Sequence, residues 1–211
     1  MGLSSPIKKL FLQVSGVSRR MVTKYKFPLH LYLIFENIEP MVYTHDNLTA
    51  NHYIILIPEN QIYNLSCVLK NEVLLSLNYL VDISVVDTLK FSKFLPEVSL
   101  NLSKNRFLLQ YMFYMYFLKI RLSIFTFNDL VKSPVVSIER NYDNAGWLER
   151  EVSEMFQIGL SFKKDNRNLL LDYCQNEHPL LKDFPVEGYK DLYYNFTEEN
   201  LTYIDHNYIE L

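Results

Sequence analysis

The chain has 211 residues, of which 49% are hydrophobic and 15% aromatic, and its 21 basic and 24 acidic side chains leave a formal charge of -3. That length suits one domain with extensions and excludes a large multidomain enzyme. The apolar content excludes a disordered chain, and the charge balance gives no general drive towards nucleic acid or anionic lipid.

Charge is uneven along the chain. Lys8, Lys9, Arg19, Arg20, Lys24 and Lys26 all precede the first acid, Glu36. In the same stretch Ile7, Leu10, Phe11 and Val14 fall at the spacing of one helical face. Two readings stand: an organelle transit sequence, which is basic and acid-free, or a short docking helix. Gly2 is not read as a myristoylation site, because Pro6 occupies the position where that motif needs Ser or Thr. Alanine occurs only at positions 50 and 145 while Leu, Asn, Tyr, Phe, Ile and Lys abound. A strongly AT-rich genome produces this bias, and a chain made inside an organelle would need no import signal.

Leu29 to Phe35 and His52 to Ile57 are short apolar runs that fit strands, the second stopped by Pro58. Ile62, Leu65 and Leu69 then predict a helix from about Glu59 to Lys70. Leu80 to Val86 reads as a strand. Phe107 to Phe117 is predicted as a strand buried on both faces and Ile120 to Phe127 as a second strand, with a hairpin between them. A membrane-spanning helix over Phe107 to Phe127 is the weaker alternative, since Lys119 and Arg121 interrupt the run. Trp147 to Phe156 is predicted as a helix capped by Asp143 or Asn144, with Leu148, Val152, Met155 and Phe156 inward and Glu149, Arg150, Ser153 and Glu154 elsewhere. Beyond about Lys163 the chain turns polar, and Pro179, Pro185 and Gly188 predict an extended tail that is neither helix nor sheet. The fold class is therefore α+β: a mixed sheet with flanking helices, followed by a long C-terminal tail.

Chemistry-bearing motifs are sparse. Cys67 and Cys174 lack ligand spacing and cannot supply the four ligands of an iron–sulfur cluster or structural zinc. Five histidines show no metal-binding pattern, and five glycines form no phosphate-cradling loop or nucleophile elbow. One acid/base reading uses Glu151 and Glu154, neighbours on a helix, with His178, as a stand-alone hydrolase would. Glu149 and Glu151 point to opposite sides of that helix. Another alternative is a soluble binding module with an aromatic-rich sheet.

Trp147-Leu-Glu-Arg-Glu-Val152, Met155-Phe156, Leu170-Leu-Asp-Tyr173, His178-Pro-Leu-Leu-Lys-Asp-Phe-Pro185 and Gly188-Tyr189 occur in that order. Together they resemble the thirty-kilodalton subunit family of respiratory complex I, NADH:ubiquinone oxidoreductase. Ile83 to Asp87, Arg106 to Tyr116 and Lys119 to Thr126 resemble the family's strands more weakly. Departures are Glu154 for Asp, Gln157 for Gly, Asn168 for Arg, Glu177 for Gly and Leu181 for Arg. The resemblance implies a chain without a redox centre, with FMN and iron–sulfur clusters carried by other subunits. It implies a mitochondrial inner-membrane location, peripheral on the matrix side, without a transmembrane segment. The implied partner is the forty-nine-kilodalton quinone-site subunit among other peripheral-arm subunits, and no nucleic acid. It also implies a subunit interface made by Trp147, Glu149, Arg150, Glu151 and Arg167, then Asp172, Tyr173, His178 and Pro179, then Lys182, Asp183, Phe184, Pro185 and Tyr189. No catalytic or metal-ligating residue is expected. The expected organisation is a basic extension over 1–47, an α+β domain over 48–162 and a partner-wrapping tail over 163–211.

Overall fold

The computed structural model describes residues 42–45 (backbone alone), 52–71, 77–89, 106–117, 119–128, 134–173 and 177–205. The expected strand Leu29 to Phe35 and the N-terminal helical stripe lie outside these residues. Five strands build the main sheet: β1 (Val42–His45), β2 (His52–Leu56), β3 (Tyr79–Asp87), β4 (Phe107–Met115) and β5 (Ile120–Asn128), in the spatial order β1-β2-β5-β4-β3. β2 and β5 run parallel, and the other neighbours are antiparallel. The sheet is thus mixed, as expected. The Phe107 run is the hairpin β4–β5 rather than a membrane helix, and no helix among the described residues is long and apolar enough to cross a membrane.

Period-two alternation explains which side chains meet the helices. Phe107, Leu109, Tyr111, Phe113 and Met115 of β4 join Ile120, Leu122 and Ile124 of β5 and Ile55 of β2 in one core. Helix α1 (Ile62–Asn71) adds Leu65 and Leu69, and helix α2 (Ala145–Phe156) adds Val152 and Phe156. Each such fully buried side chain contributes about 1.5–3 kcal/mol. Residues of the opposite face, Ile54, Leu56, Ser123 and Phe125, are buried too but do not belong to this core.

Several boundaries differ from the sequence reading. A 3-10 turn over Glu59–Gln61 precedes α1, so regular helix starts only at Ile62. β4 ends at Met115, because the chain turns through Tyr116 into Lys119, whose φ is 50°. β4 is fully covered on its helix side, whereas Gln110, Met112 and Tyr114 on the other side are half-buried. β1 lies inside the span expected to be an extension and pairs with β2. Asn144 does sit at the N-cap of α2, but its amide donates to the Leu80 carbonyl at 2.6 Å instead of capping the helix.

The tail expectation needs correcting. Two further strands, β6 (Val135–Val136) and β7 (Leu160–Ser161), pair in parallel beside α2, and the described residues between β7 and Lys190 form no helix or strand. Then β8 (Lys190–Asn195) and β9 (Asn200–Asp205) form an antiparallel hairpin where no sheet was expected. Cross-strand pairs Leu192–Tyr203 and Tyr194–Leu201 override the polar composition. Asn195 Oδ1 accepts from the Thr197 amide at 3.1 Å, and Glu199 takes a left-handed φ of 54°, which closes the turn.

Candidate functional site

The motif-bearing residues converge where α2 meets the chain that follows it. Glu149, one turn into α2, is only 2% exposed although the sequence reading put it away from the core. Its carboxylate accepts from the Ser137 hydroxyl at 2.6 Å and from the Ile138 amide at 2.8 Å. Lys163, whose side chain is 1% exposed, donates to Glu149 Oε2 at 3.0 Å and to the Gly146 carbonyl at 2.9 Å. Phe162 precedes it with a left-handed φ of 59°. A buried ion pair of this kind survives only because both charges also gain hydrogen bonds.

One and a half turns further on, Glu154 accepts from three successive amides: Leu169 at 2.9 Å, Leu170 at 3.0 Å, and Leu171. Burial pushes its pKa up, but the three amide donors and the nearby Arg150 guanidinium outweigh that and hold it below the usual range. Arg150 donates to the carbonyls of Arg167 at 2.8 Å and Asn168 at 2.9 Å and lies over the exposed Trp147 ring. His178 Nδ1 donates to the Glu154 carbonyl at 2.6 Å, since a carbonyl can only accept. The side chains of α2 expected away from its apolar face therefore grip the segment after it.

A second clasp lies across the domain. The Arg106 guanidinium binds Asp87 with two nitrogens, at 3.1 and 2.7 Å, and Asp183 at 2.7 Å. Asp87 also accepts from the Lys182 amide at 3.0 Å. Burial raises the Asp87 pKa, and the Arg106 side chain with the Lys182 and Leu89 amides brings it below the ordinary value. Carboxylates at the end of β3 and in the His178–Pro185 segment thus share one arginine at the start of β4.

Glu149, Arg150 and Asp183, expected in charge pairs across a subunit boundary, have partners within the chain. Glu151 and Lys182 are exposed. Arg167 is exposed and paired with Asp165 at 2.7 Å. Asp172 accepts from the Tyr203 hydroxyl at 3.0 Å, which ties the hairpin to the segment before it, and Tyr173 is exposed. Pro179 is half-buried beside His178, the Phe184 and Tyr189 rings meet edge-on at 5.2 Å, and the Pro185 carbonyl accepts from Gly188. Sequence reasoning missed Lys163 and the clasping roles of Asp87 and Arg106. A carboxylate ending an apolar strand, as in Ser84-Val-Val-Asp87, was the available signal, because burial there demands a cation.

The acid/base trio is not assembled. Glu154 is occupied by amides, Glu151 faces solvent, and His178 meets a backbone carbonyl. A polar cleft of about 120 Å³ lies among Arg150, Ser153, Glu154, Arg167 and His178. That is well under the roughly 300–1,000 Å³ of ordinary ligand pockets.

Residues 55–190 match the family described as respiratory-chain NADH dehydrogenase, 30 Kd subunit. The chain belongs to that 30-kDa family. "NADH-ubiquinone oxidoreductase subunit 9" of Paramecium primaurelia is 33% identical to it over 97% of both chains. The protein of the same name from Acanthamoeba castellanii is 32% identical over 73% of this chain and 71% of its own. A chain from the solved membrane-bound sulfane sulfur reductase, an archaeal respiratory membrane complex, shares the fold at TM-score 0.58 and 18% identity, over 74% of this chain and 84% of that one. As a 30-kDa family member, the chain is a complex I subunit homologue, and nothing supports the hydrolase alternative.

The departures from the family pattern acquire physical meaning. Gln157, where the pattern has Gly, ends α2 in the left-handed conformation at φ 58°. A glycine adopts that backbone without strain. Leu181, where the pattern has Arg, packs against the core.

Proposed function

We propose that this chain is a core subunit of the peripheral arm of complex I that carries no redox centre and scaffolds the forty-nine-kilodalton quinone-site subunit. On this reading it lies on the matrix side of the mitochondrial inner membrane, and NADH-to-ubiquinone electron transfer coupled to proton translocation belongs to the assembly. On the same reading FMN and the iron–sulfur clusters belong to other subunits; two cysteines alone cannot supply a cluster's four thiolates. The chain's contribution is positional: groups at a neighbouring reaction site must be held to within about half an ångström.

The observation that carries the proposal is the β8–β9 hairpin. Register places Leu192 and Tyr194 opposite Tyr203 and Leu201 on one face, and all four are about half-exposed or more. Isolated two-stranded hairpins are marginal in water, so an apolar face of this kind calls for cover by another chain. From Asp183 onward Lys190 is the sole base among several acids, which favours a partner groove with an apolar floor and a basic rim. Blue-native electrophoresis of native membranes tests the reading. The chain should migrate with a very large complex, and replacing Leu192, Tyr194, Leu201 and Tyr203 by Ser should release it and lower NADH:ubiquinone activity. A wild-type chain found predominantly free would overturn the proposal.

A further inference from the structure

The residues on either side of Phe162 are both fixed. Ser161 is held in the β6–β7 pair, its carbonyl accepting from the Ser137 amide at 3.0 Å. Lys163 sends its side chain inward to Glu149 and to the Gly146 carbonyl of α2. Between them the backbone takes its left-handed φ of 59° and the Phe162 ring is turned out, 74% exposed. A glycine adopts that conformation without strain, and an exposed ring forfeits the burial that makes phenylalanine stabilising. The fold of this chain alone therefore has no use for the ring. Strain of this kind, kept in place by its surroundings, points to a role outside the fold.

The chain after Phe162 lies along one stripe of α2. It meets Gly146 through Lys163, Arg150 through the Arg167 and Asn168 carbonyls, and Glu154 through the amides of residues 169–171. Its outer side carries Phe162, Leu170 and Tyr173, with Trp147 beside it on α2, and each is more than half exposed. The charge among them is positive on balance. Lys164 and Arg167 are exposed, while Asp165 is already shared between Arg150 and Arg167, at 3.6 and 2.7 Å. Asp172 receives the Tyr203 hydroxyl, and Glu151 lies further round α2, beyond Trp147. We infer that this outer side is a second docking surface, with Phe162 its anchor, for a segment of another protein chain that presents carboxylates beside an apolar pocket. Tryptophan and arginine, paired here as Trp147 and Arg150, are residue types on which interfaces concentrate their binding. The sign of the charge separates this surface from the β8–β9 hairpin, whose acids call for a basic rim, so the two meet different parts of the assembly. The inference rests on the reading of the chain as a member of a large assembly and adds a second contact to it.

Two measurements test it. Phe162→Gly removes the ring and the strain together, so the purified full-length chain should melt at the wild-type temperature or above it. Phe162→Asn, which also accepts a left-handed backbone, repeats the test with a side chain in place. In native membranes under mild urea, the fraction of either variant retained by the complex in blue-native electrophoresis should fall about fivefold, as for loss of one anchor residue. Variants that both melt well below the wild type, or that are retained like it, would overturn the inference. The partner's chemistry is read with a carbodiimide, which takes up the water released as an amine and a touching carboxylate form an amide. It should link Lys164 to an Asp or Glu of another chain, located by mass spectrometry. Lys164→Arg should lose that link and keep the complex, whereas Lys164→Glu with Arg167→Glu should weaken retention as Phe162→Gly does. A Lys164 linked only to acids of its own chain, or unlinked while other lysines of the complex react, would overturn the inference. A wild-type chain found free of any complex would overturn the assembly reading and this one together; an assembled wild type with an indifferent Phe162→Gly overturns this one alone.

Discussion

The α2 region and the β8–β9 hairpin invert each other. Around α2 the chain buries charge: Glu149, Glu154 and Lys163 lie inside, each with several partners. In the hairpin it exposes apolar surface: Leu192, Tyr194, Leu201 and Tyr203 are each about half-exposed or more. The first arrangement is internally complete, since every buried charge is answered within the chain. On the proposed reading the second is half of an interface. Polar motifs that look like an interface in sequence can be internal fastenings, while an unremarkable acidic tail can carry the contact surface.

Removing one side of a buried charge pair should give the largest effect. Lys163→Ala leaves Glu149 buried with its charge unanswered, so a loss of about 3–5 kcal/mol is expected in urea unfolding. A double change, Glu149→Gln with Lys163→Met, should cost clearly less than either charge left alone. If the single change costs under about 1 kcal/mol, α2 is not the internally complete region described.

Acid should loosen the clasps next. Asp87 and Glu154 both have folded pKa values below their ordinary ones. Their contribution is therefore fully present above the unfolded carboxylate pKa, about 4, and is lost as pH falls through the lower folded values. Hydrogen exchange of residues 165–185 should accelerate between pH 5 and pH 2 before that of β4 does. Simultaneous release would show that the segment is not held by these carboxylates.

Gln157→Gly should raise stability by about 1 kcal/mol, because it removes a left-handed side-chain penalty at the end of α2. Thermal unfolding reads this directly. Smallest of all should be the effect of Leu201→Ser on the isolated chain, within about 0.5 kcal/mol, since that side chain has no cover to lose. A large destabilisation would mean the hairpin is part of the domain after all, and the contrast would fail.

Much of the sheet was legible because alternation and apolar runs act locally: β2, β3, β4 and β5 appear within a residue or two of their expected ends. Their order was not, because nothing in the His52 run specifies a parallel partner on β5. The hairpin was missed because its acids and asparagines mask a four-residue apolar face visible only once the two strands are paired. Site residues were readable as a set through their motif, and their burial was not. Glu149 looks like any helical surface acid until Ser137 and Lys163 arrive from either side, and Asp183 finds its partner Arg106 77 positions earlier in the chain.

β2 and β5 are neighbours in the sheet, yet Ile55 faces Ile124 across a long stretch of chain. Antiparallel β4–β5 closes through a short turn and can form in microseconds. β2 has no such shortcut, since its place beside β5 exists only after that hairpin is made, and long closures carry their entropic cost before any contact rewards it. On the ribosome, β2 emerges early and must wait for β5, a delay in which an apolar strand has an unpaired edge. The parallel pair at the centre of the sheet therefore sets the tempo of folding, and the newly made chain is most in need of chaperone protection until Asn128 has left the exit tunnel.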